Sequence, residues 1–162
     1  MRTLEGTRFG TLDYDPSEVI VLEDGLLGFP RSRRYLLFPY GRESPFFWLQ
    51  SVDEAELAFI VINPFEFFTG LEYTIRDEDS AALGLSRADE MELFTLVTIP
   101  AGHPELTGTN LSAPVVVNVK NRMGRQVIME EYASRQLLVP ENYRYHPLGE
   151  WTQAAVDARQ VM

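Results

Sequence analysis

Side chains that bind metals or act as nucleophiles are scarce in this chain of 162 residues. It contains two histidines, His103 and His146, each directly before a proline, and no cysteine. A zinc site takes three or four ligands, usually with a closely spaced pair, and both disulfides and thiolate chemistry need cysteine. We therefore expect no metal site, no disulfide and no thiol chemistry.

Carboxylates are numerous, but their spacing does not indicate an acid–base pair. Asp53 and Glu54 are adjacent, as are Glu130 and Glu131, and neighbours on a strand point to opposite faces. The chain has no G-x-S-x-G, P-loop or G-x-G-x-x-G pattern. The segment GLLGFP (residues 25–30) is too apolar for a phosphate loop, and its glycines indicate a bulge or bend. We predict that the protein is not an enzyme and has no cofactor.

The acidic charge is concentrated in one part of the chain. The formal net charge is −10, and the stretch from Asp53 to Glu92 holds eleven acidic residues against two arginines. Such a surface repels a phosphate backbone and attracts a basic protein, which predicts a basic protein partner and no direct contact with nucleic acid. Acidic loops that only keep the protein in solution are the alternative. The candidate docking residues are Asp53, Glu54, Glu56, Asp77, Glu78 and Asp79.

The apolar runs are short and separated by turn residues, which is typical of an all-β domain, an antiparallel barrel or a sandwich. TRFGTLDY is the first run. In FFWLQSV, Phe46, Trp48 and Gln50 face one way and Phe47, Leu49 and Ser51 the other, and LAFIVIN follows as the next strand, with DEAE as the turn between them. APVVVNVKNRMGRQVIMEEY reads as a hairpin in which Gly124 takes a positive φ.

One short helical insertion is predicted at DEDSAALG (residues 77–84), with an Asp or Ser N-cap and Gly84 at its C-terminal end. We assign residues 1–150 to a single β-barrel-like domain and residues 151–162 to a mobile C-terminal tail. The N-terminus lacks the apolar region of a secretory signal, and no apolar segment approaches the length that spans a bilayer. We expect a cytoplasmic protein that makes no membrane contact and is monomeric when free.

The aromatic residues leave two questions. Trp48, with Phe46 and Phe59, either lines the pocket of a small-molecule-binding β-barrel or small hydrolase, or belongs to the core, and the flanking strand pattern favours the core. Phe65, Phe67 and Phe68 follow the end of a strand, where they either cap the barrel or form an apolar anchor for a partner.

Four segments resemble the FliW family of bacterial flagellar assembly factors. They are GLLGFP (25–30), PFFWLQSVDEAELAFIVINPFEFF (45–68), LFTLVTIP (93–100) and NLSAPVVVNVKNRMGRQVIMEEY (110–132). In order and spacing the resemblance covers about residues 3–148.

This resemblance implies a non-enzymatic partner switch. Proteins of the family bind the carbon storage regulator, a small basic RNA-binding dimer, and so relieve its repression of flagellin translation. They also bind flagellin. Because flagellin that is not exported occupies the factor, the regulator is freed and translation falls. On this hypothesis the six acidic candidates contact the regulator, and Phe65, Phe67 and Phe68 form an exposed apolar groove for flagellin.

Overall fold

Seven strands form a closed barrel at the centre of the computed structural model, which describes residues 1–87 and 90–138. The described elements, in chain order, are β1 (Arg2–Thr7), β2 (Gly10–Tyr14), β3 (Ile20–Leu22), β4 (Arg34–Pro39), β5 (Phe46–Ser51), β6 (Ala58–Ile62), α1 (Asp77–Leu83), β7 (Met91–Thr98), β8 (Gly108–Thr109), β9 (Val115–Asn118), β10 (Met123–Gln126) and β11 (Gln136–Leu137). The prediction of an all-β domain with one short helical insertion is confirmed, and of the two architectures considered it is the barrel.

The barrel order is β7-β6-β5-β4-β3-β10-β9, and β9 pairs back onto β7. Closure is possible because β7 pairs with β9 through its first half and with β6 through its second half. All of these pairs are antiparallel except β3 with β10, which run parallel. Strand β8 extends the sheet beside the end of β7 and carries β11.

Side chains from six of the seven barrel strands fill the interior. They are Ile20, Leu22, Tyr35, Leu49, Val61, Phe94, Val115 and Val117, joined by Leu26 from the loop after β3. Branched and aromatic residues of this size are what a small barrel needs to fill its interior. Within the described residues, the hypothesis of a ligand-binding barrel is therefore wrong, because the space that it requires is occupied by packed side chains.

The opposite face of β5 and β6 carries a second apolar cluster, outside the barrel. Phe46 and Trp48 lie in it, whereas Leu49 faces inward, so the alternation predicted for β5 is confirmed. Trp48 is only 2% exposed, and its ring packs against Phe9 at 5.0 Å between ring centroids. It is a core residue, as the strand pattern favoured.

Helix α1 covers a third cluster on the outside of the barrel. Leu83 packs there with Val116 and Val127, and Gly84 ends the helix with φ 66°. The prediction of an Asp or Ser N-cap is wrong. Arg76 holds the N-cap position without a side-chain capping bond, and Asp77 begins the helix.

Two other local predictions are wrong. TRFGTLDY is not one strand, because the chain turns within it and β1 and β2 form a separate two-stranded sheet. Gly124 does not have a positive φ. In the turn between β9 and β10, the residue with a positive φ is Arg122. Gly124 is small for another reason: a Cβ atom there would collide with the side chain of Leu22 on the adjacent parallel strand. The predicted tail, residues 151–162, and the end of the predicted domain lie outside the described residues.

Candidate functional site

The side chain of Gln50 supports the turn between β5 and β6. This acidic turn, residues 52–57, contains the DEAE segment. The Nε2 atom of Gln50 is within hydrogen-bonding distance of the carbonyl oxygens of Ser51 (2.8 Å), Ala55 (2.8 Å) and Leu57 (3.2 Å). Gln50 is fully buried. Since buried carbonyl groups need a donor, this amide fixes the path of the turn.

Asp53 attaches the acidic turn to the start of β4. Its Oδ2 atom accepts hydrogen bonds from the backbone N–H groups of Arg33 (2.8 Å) and Arg34 (2.9 Å). Its Oδ1 atom accepts from the guanidinium group of Arg34 at 2.8 Å. Burial raises the pKa of this carboxyl, but the three hydrogen bonds and the charge of Arg34 outweigh burial and hold the pKa below its usual range.

A buried polar group lies directly beneath the acidic turn. The hydroxyl groups of Ser32 and Ser51 are hydrogen-bonded to each other, and the hydroxyl oxygen of Ser51 also accepts from the backbone N–H of Glu54 at 2.9 Å. Burial raises the pKa of the neighbouring Tyr35 hydroxyl to about 12, so this hydroxyl is protonated and neutral at physiological pH. These contacts make the turn a rigid platform rather than a loose loop.

Two carboxylates of the acidic turn form no ion pair among the described residues, and the third does. Glu56 is exposed and Glu54 is half-buried, whereas Asp53 is already bound to Arg34. Because of these contacts, we expect reversal of the charge of Asp53 to lower the stability of the fold. Asp53 holds the turn to β4.

The acidic residues at the start of α1 likewise comprise two exposed residues and one that is buried in ion pairs. Asp77 and Glu78 are exposed. Asp79 is only 5% exposed, and its Oδ1 atom lies 3.3 Å from Nε of Arg125 on β10. A second guanidinium, that of Arg76, lies 3.8 Å from Oδ2 of Asp79. Asp79 thus binds α1 to the barrel, while Asp77 and Glu78 remain accessible.

The acidic turn and the acidic residues at the start of α1 (Asp77, Glu78 and Asp79) lie at the same end of the barrel as two separate acidic patches. The end of β5 pairs with the start of β4, which pairs with the end of β3. The parallel β10 ends on this side too, where Arg125 meets α1. Arg31, Arg33 and Arg34 line a depression together with Asp53, so basic side chains lie directly beside the acidic turn.

Of the three phenylalanines predicted to form a groove, only Phe65 is accessible, at 36% exposure. Its ring contacts Tyr73 edge-on, with 5.8 Å between ring centroids. Phe67 and Phe68 are buried in the outer cluster on β5 and β6, as capping residues would be. The prediction that Phe67 and Phe68 line an exposed groove is contradicted in this conformation. Whether Phe65 contacts a partner stays a prediction.

Residues 71–76 form part of the surface that sequence reasoning did not identify. This segment is extended but belongs to no described strand. It is held by Tyr132, whose hydroxyl group exchanges hydrogen bonds with the backbone of Glu72, and by the Tyr73 hydroxyl, which donates to the carbonyl of Leu111 at 2.7 Å. Burial raises the pKa of Tyr73. The alternation of apolar and polar residues in LEYTIR was the available signal.

A cleft lies between this extended segment and α1. Apolar and polar side chains both line it, among them Tyr73, Ile75, Leu85 and Met91. It is open to solvent and continues the aromatic surface that begins at Phe65. An amphipathic segment of a partner would find apolar contacts here that the three phenylalanines alone do not provide.

Two kinds of site are not found within residues 1–87 and 90–138. No group of three or more His, Asp or Glu side chains is placed to hold a metal ion. No helix in this part of the chain has the length and apolar character needed to cross a bilayer.

The fold and the surface define a small closed β-barrel with a filled interior, whose distinctive side chains lie on a rigid acidic turn and on an outer aromatic surface. The family model described as FliW protein matches residues 3–138. A flagellar assembly factor FliW from Magnetococcus marinus is 58% identical over 141 residues, which cover 87% of each chain. A flagellar assembly factor FliW 2 from Desulfotalea psychrophila is 36% identical over 129 residues, which cover 80% of this chain and 83% of the relative.

A solved structure of a FliW protein has a similar fold. The crystal structure of a flagellar assembly factor FliW matches with a TM-score of 0.78 and 29% sequence identity, covering 86% of this chain and 98% of that one. The chain belongs to the FliW family of flagellar assembly factors, as its resemblance indicated.

Proposed function

We propose that this protein is a partner switch in flagellar assembly that binds both the carbon storage regulator and flagellin. The observation that carries the proposal is the acidic turn: in a chain of the FliW family, Glu54 and Glu56 project from a backbone that Gln50 and Asp53 hold rigid. Rigid charged groups lose little conformational entropy on binding and steer an oppositely charged partner.

The regulator is the partner proposed for the acidic patches. An RNA-binding dimer must be basic, and Glu54, Glu56, Asp77 and Glu78 are carboxylates that it can contact. Asp53 and Asp79 support the proposal indirectly, since each positions one of the patches. The negative charge of the patches also disfavours direct contact with RNA.

Flagellin is the partner proposed for the aromatic surface. Phe65 supplies one exposed ring, and the cleft beside Tyr73, Ile75 and Met91 supplies further apolar contacts. This surface fits an amphipathic helix of the kind expected at flagellin termini.

On this proposal the protein acts in the cytoplasm as a non-enzymatic chaperone and translational regulator, and it is monomeric when free. Flagellin awaiting export occupies it, the regulator is released, and flagellin translation is repressed. When export resumes, the protein binds the regulator again. No observation favours the small-molecule-binding barrel or hydrolase as a second candidate.

The test is a titration of the full chain with the cognate regulator dimer at low and high salt, followed by addition of flagellin to the complex. We expect tight binding that weakens with salt and that flagellin reverses. A complex insensitive to salt would contradict the assignment of the acidic patches. A complex that persists with flagellin bound would contradict the switch while leaving the regulator site in place.

A further inference from the structure

The turn after β3 presents an apolar surface that the proposed function does not use. Leu27 is 64% exposed and Phe29 38% exposed, and both lie in the GLLGFP segment. Val21 and Pro30 line a shallow depression beside this turn, together with Arg31, Arg33 and the ion pair of Arg34 with Asp53. We call these six residues, Val21, Leu27, Phe29, Pro30, Arg31 and Arg33, the basic turn surface.

The backbone of this turn is held firmly. The N–H group of Phe29 donates to the carbonyl of Leu26 at 2.8 Å, closing the turn, and the N–H group of the exposed Leu27 donates to Oε1 of Gln126 at 2.8 Å. Gly25 has a φ of 67°, and a Cβ atom there would lie 2.5 Å from the carbonyl oxygen of Phe29. An exposed leucine on so constrained a backbone is not explained by a need to fill the core.

Two arginines line the depression beside Val21 and Pro30 without an ion-pair partner among the described residues. Within residues 1–87 and 90–138, the guanidinium groups of Arg31 and Arg33 form no ion pair, whereas Arg34 is bound to Asp53. Of the two acids just before the turn, Asp24 lies 3.9 Å from Arg125. The carboxylate that lines the depression with Arg31 and Arg33 is that of Asp53, which is bound to Arg34, so two positive charges remain uncompensated there, within the described part of a chain whose net charge is −10.

We propose that the basic turn surface binds a protein segment that carries acidic residues around an apolar side chain. Arg31 and Arg33 supply the complementary charge, and Leu27 with Phe29 supplies the apolar contact. Four apolar side chains favour a polypeptide over a free phosphate, and the overall negative charge of the chain disfavours nucleic acid. Asp53 of the acidic turn lines the same depression, so this surface adjoins the acidic turn, but its occupant has the opposite charge to the regulator and the inference does not rest on the proposed function.

The experiment is fluorescence anisotropy of the full chain with short labelled peptides, one in which glutamates surround leucines, one with lysines in place of the glutamates, and one with serines in place of the leucines. We expect saturable binding of the first peptide that weakens with salt, and no saturable binding of the other two. Arg31→Glu with Arg33→Glu should weaken binding of the first peptide about tenfold. Leu27→Ser should weaken it by a similar factor, about tenfold.

Matched controls lie at the opposite end of the barrel. Arg42→Glu changes the charge of an exposed arginine between β4 and β5, and Val119→Ser removes an exposed apolar side chain after β9. Both should bind the first peptide as the unmodified protein does.

Three results would overturn the proposal. They are no binding of the acidic peptide, binding unchanged in the Arg31, Arg33 and Leu27 variants, and self-association of the protein, measured by analytical ultracentrifugation, that Leu27→Ser abolishes. The last result would assign the surface to contact between copies of the chain. Thermal unfolding of each variant, monitored by circular dichroism, verifies that the fold is retained.

Discussion

Asp53 and Arg34 form an ion pair in which the carboxylate also accepts the backbone N–H group of the same arginine, so that the acidic turn and β4 are joined at two points. The hydrogen bond from the N–H group of Arg33 adds a third. A residue that composition identifies as surface charge therefore has a structural role.

Replacing Asp53 by Asn should lower the free energy of unfolding by about 1 to 3 kcal/mol, because a charged acceptor of three hydrogen bonds becomes a neutral one. Urea denaturation measures the difference. Glu56→Gln, on the same turn but without such contacts, is the control and should change stability by less than about 0.5 kcal/mol. Equal stability of the two variants would mean that the contacts of Asp53 do not hold the turn.

The same pair should give the stability a defined pH dependence. Because the folded-state pKa of Asp53 is lowered, its contribution is fully present above the unfolded-state pKa, about 3.9, and is lost as the pH falls through the folded-state pKa. The stability difference between the unmodified protein and Asp53→Asn should be constant near neutral pH and should shrink below about pH 4. A difference that grows on acidification would contradict the assignment.

Reversing the charges of the accessible glutamates should weaken regulator binding. Glu54→Lys with Glu56→Lys should raise the Kd about tenfold or more in low salt and reduce its salt dependence, since attraction is replaced by repulsion. Isothermal titration calorimetry at two salt concentrations measures both effects. Glu18→Lys with Glu43→Lys makes the same change of charge at the other end of the barrel and should leave most of the affinity intact. Equal losses in the two pairs would indicate attraction by net charge alone.

Phe65 and Phe67 should respond differently to substitution. Phe65→Ser should weaken flagellin binding with little loss of stability, because its ring is partly exposed and contacts mainly Tyr73. Phe67→Ala should instead destabilise the fold by about 3 to 5 kcal/mol, since it removes a fully buried ring. Thermal unfolding and a flagellin pull-down on both variants separate these effects. Unaltered flagellin binding by Phe65→Ser would exclude Phe65 from that interface.

The two glycines of the turn after β3 provide a test of local packing. Gly25→Ala should cost more than Gly28→Ala, although both have positive φ. A Cβ atom at position 25 meets the backbone of Phe29 and Pro30, whereas one at position 28 meets nothing within 4 Å. We expect about 1 kcal/mol for Gly28→Ala from strain alone and a larger loss for Gly25→Ala, measured by chemical denaturation. Equal losses would show that the turn relaxes around position 25.

The sequence predicted the barrel strands well where side chains that face the same way recur at every second residue and one face of the strand is apolar. The alternation of Phe46 and Trp48 with Leu49 placed the side chains of β5 correctly, because a strand fixes that alternation by geometry alone. The short helix was also predicted, since Gly84 marks its C-terminal end and needs only local backbone conformation.

Interactions between distant parts of the chain were not predictable in this way. Asp53 meets backbone groups 19 and 20 residues earlier, a contact that depends on the register of β4 against β5. Gly124 is required by the approach of Leu22, which depends on the parallel pairing of β10 with β3. Neither the register nor the parallel pairing has a local signature in the sequence.

The burial of Phe67 and Phe68 illustrates a third limit. Asn63 accepts the N–H group of Phe65 at 3.0 Å and begins a 3-10 turn over Pro64–Glu66, which directs the next two rings back onto the outer face of β5 and β6. The Asn–Pro pair is a recognisable start of a turn. The direction in which the chain leaves the turn is set by the cluster on which those rings pack.

The parallel pairing of β3 with β10 also has a consequence during synthesis of the chain. The hydrogen bond between Leu27 and Gln126 joins residues 99 positions apart, so the barrel cannot close until β10 has left the ribosome. Contacts of such long range are slow to form. The turn that bears Leu27 reaches its final conformation only after Gln126 has been synthesised, and a partner that recognises this turn would discriminate against shorter nascent chains.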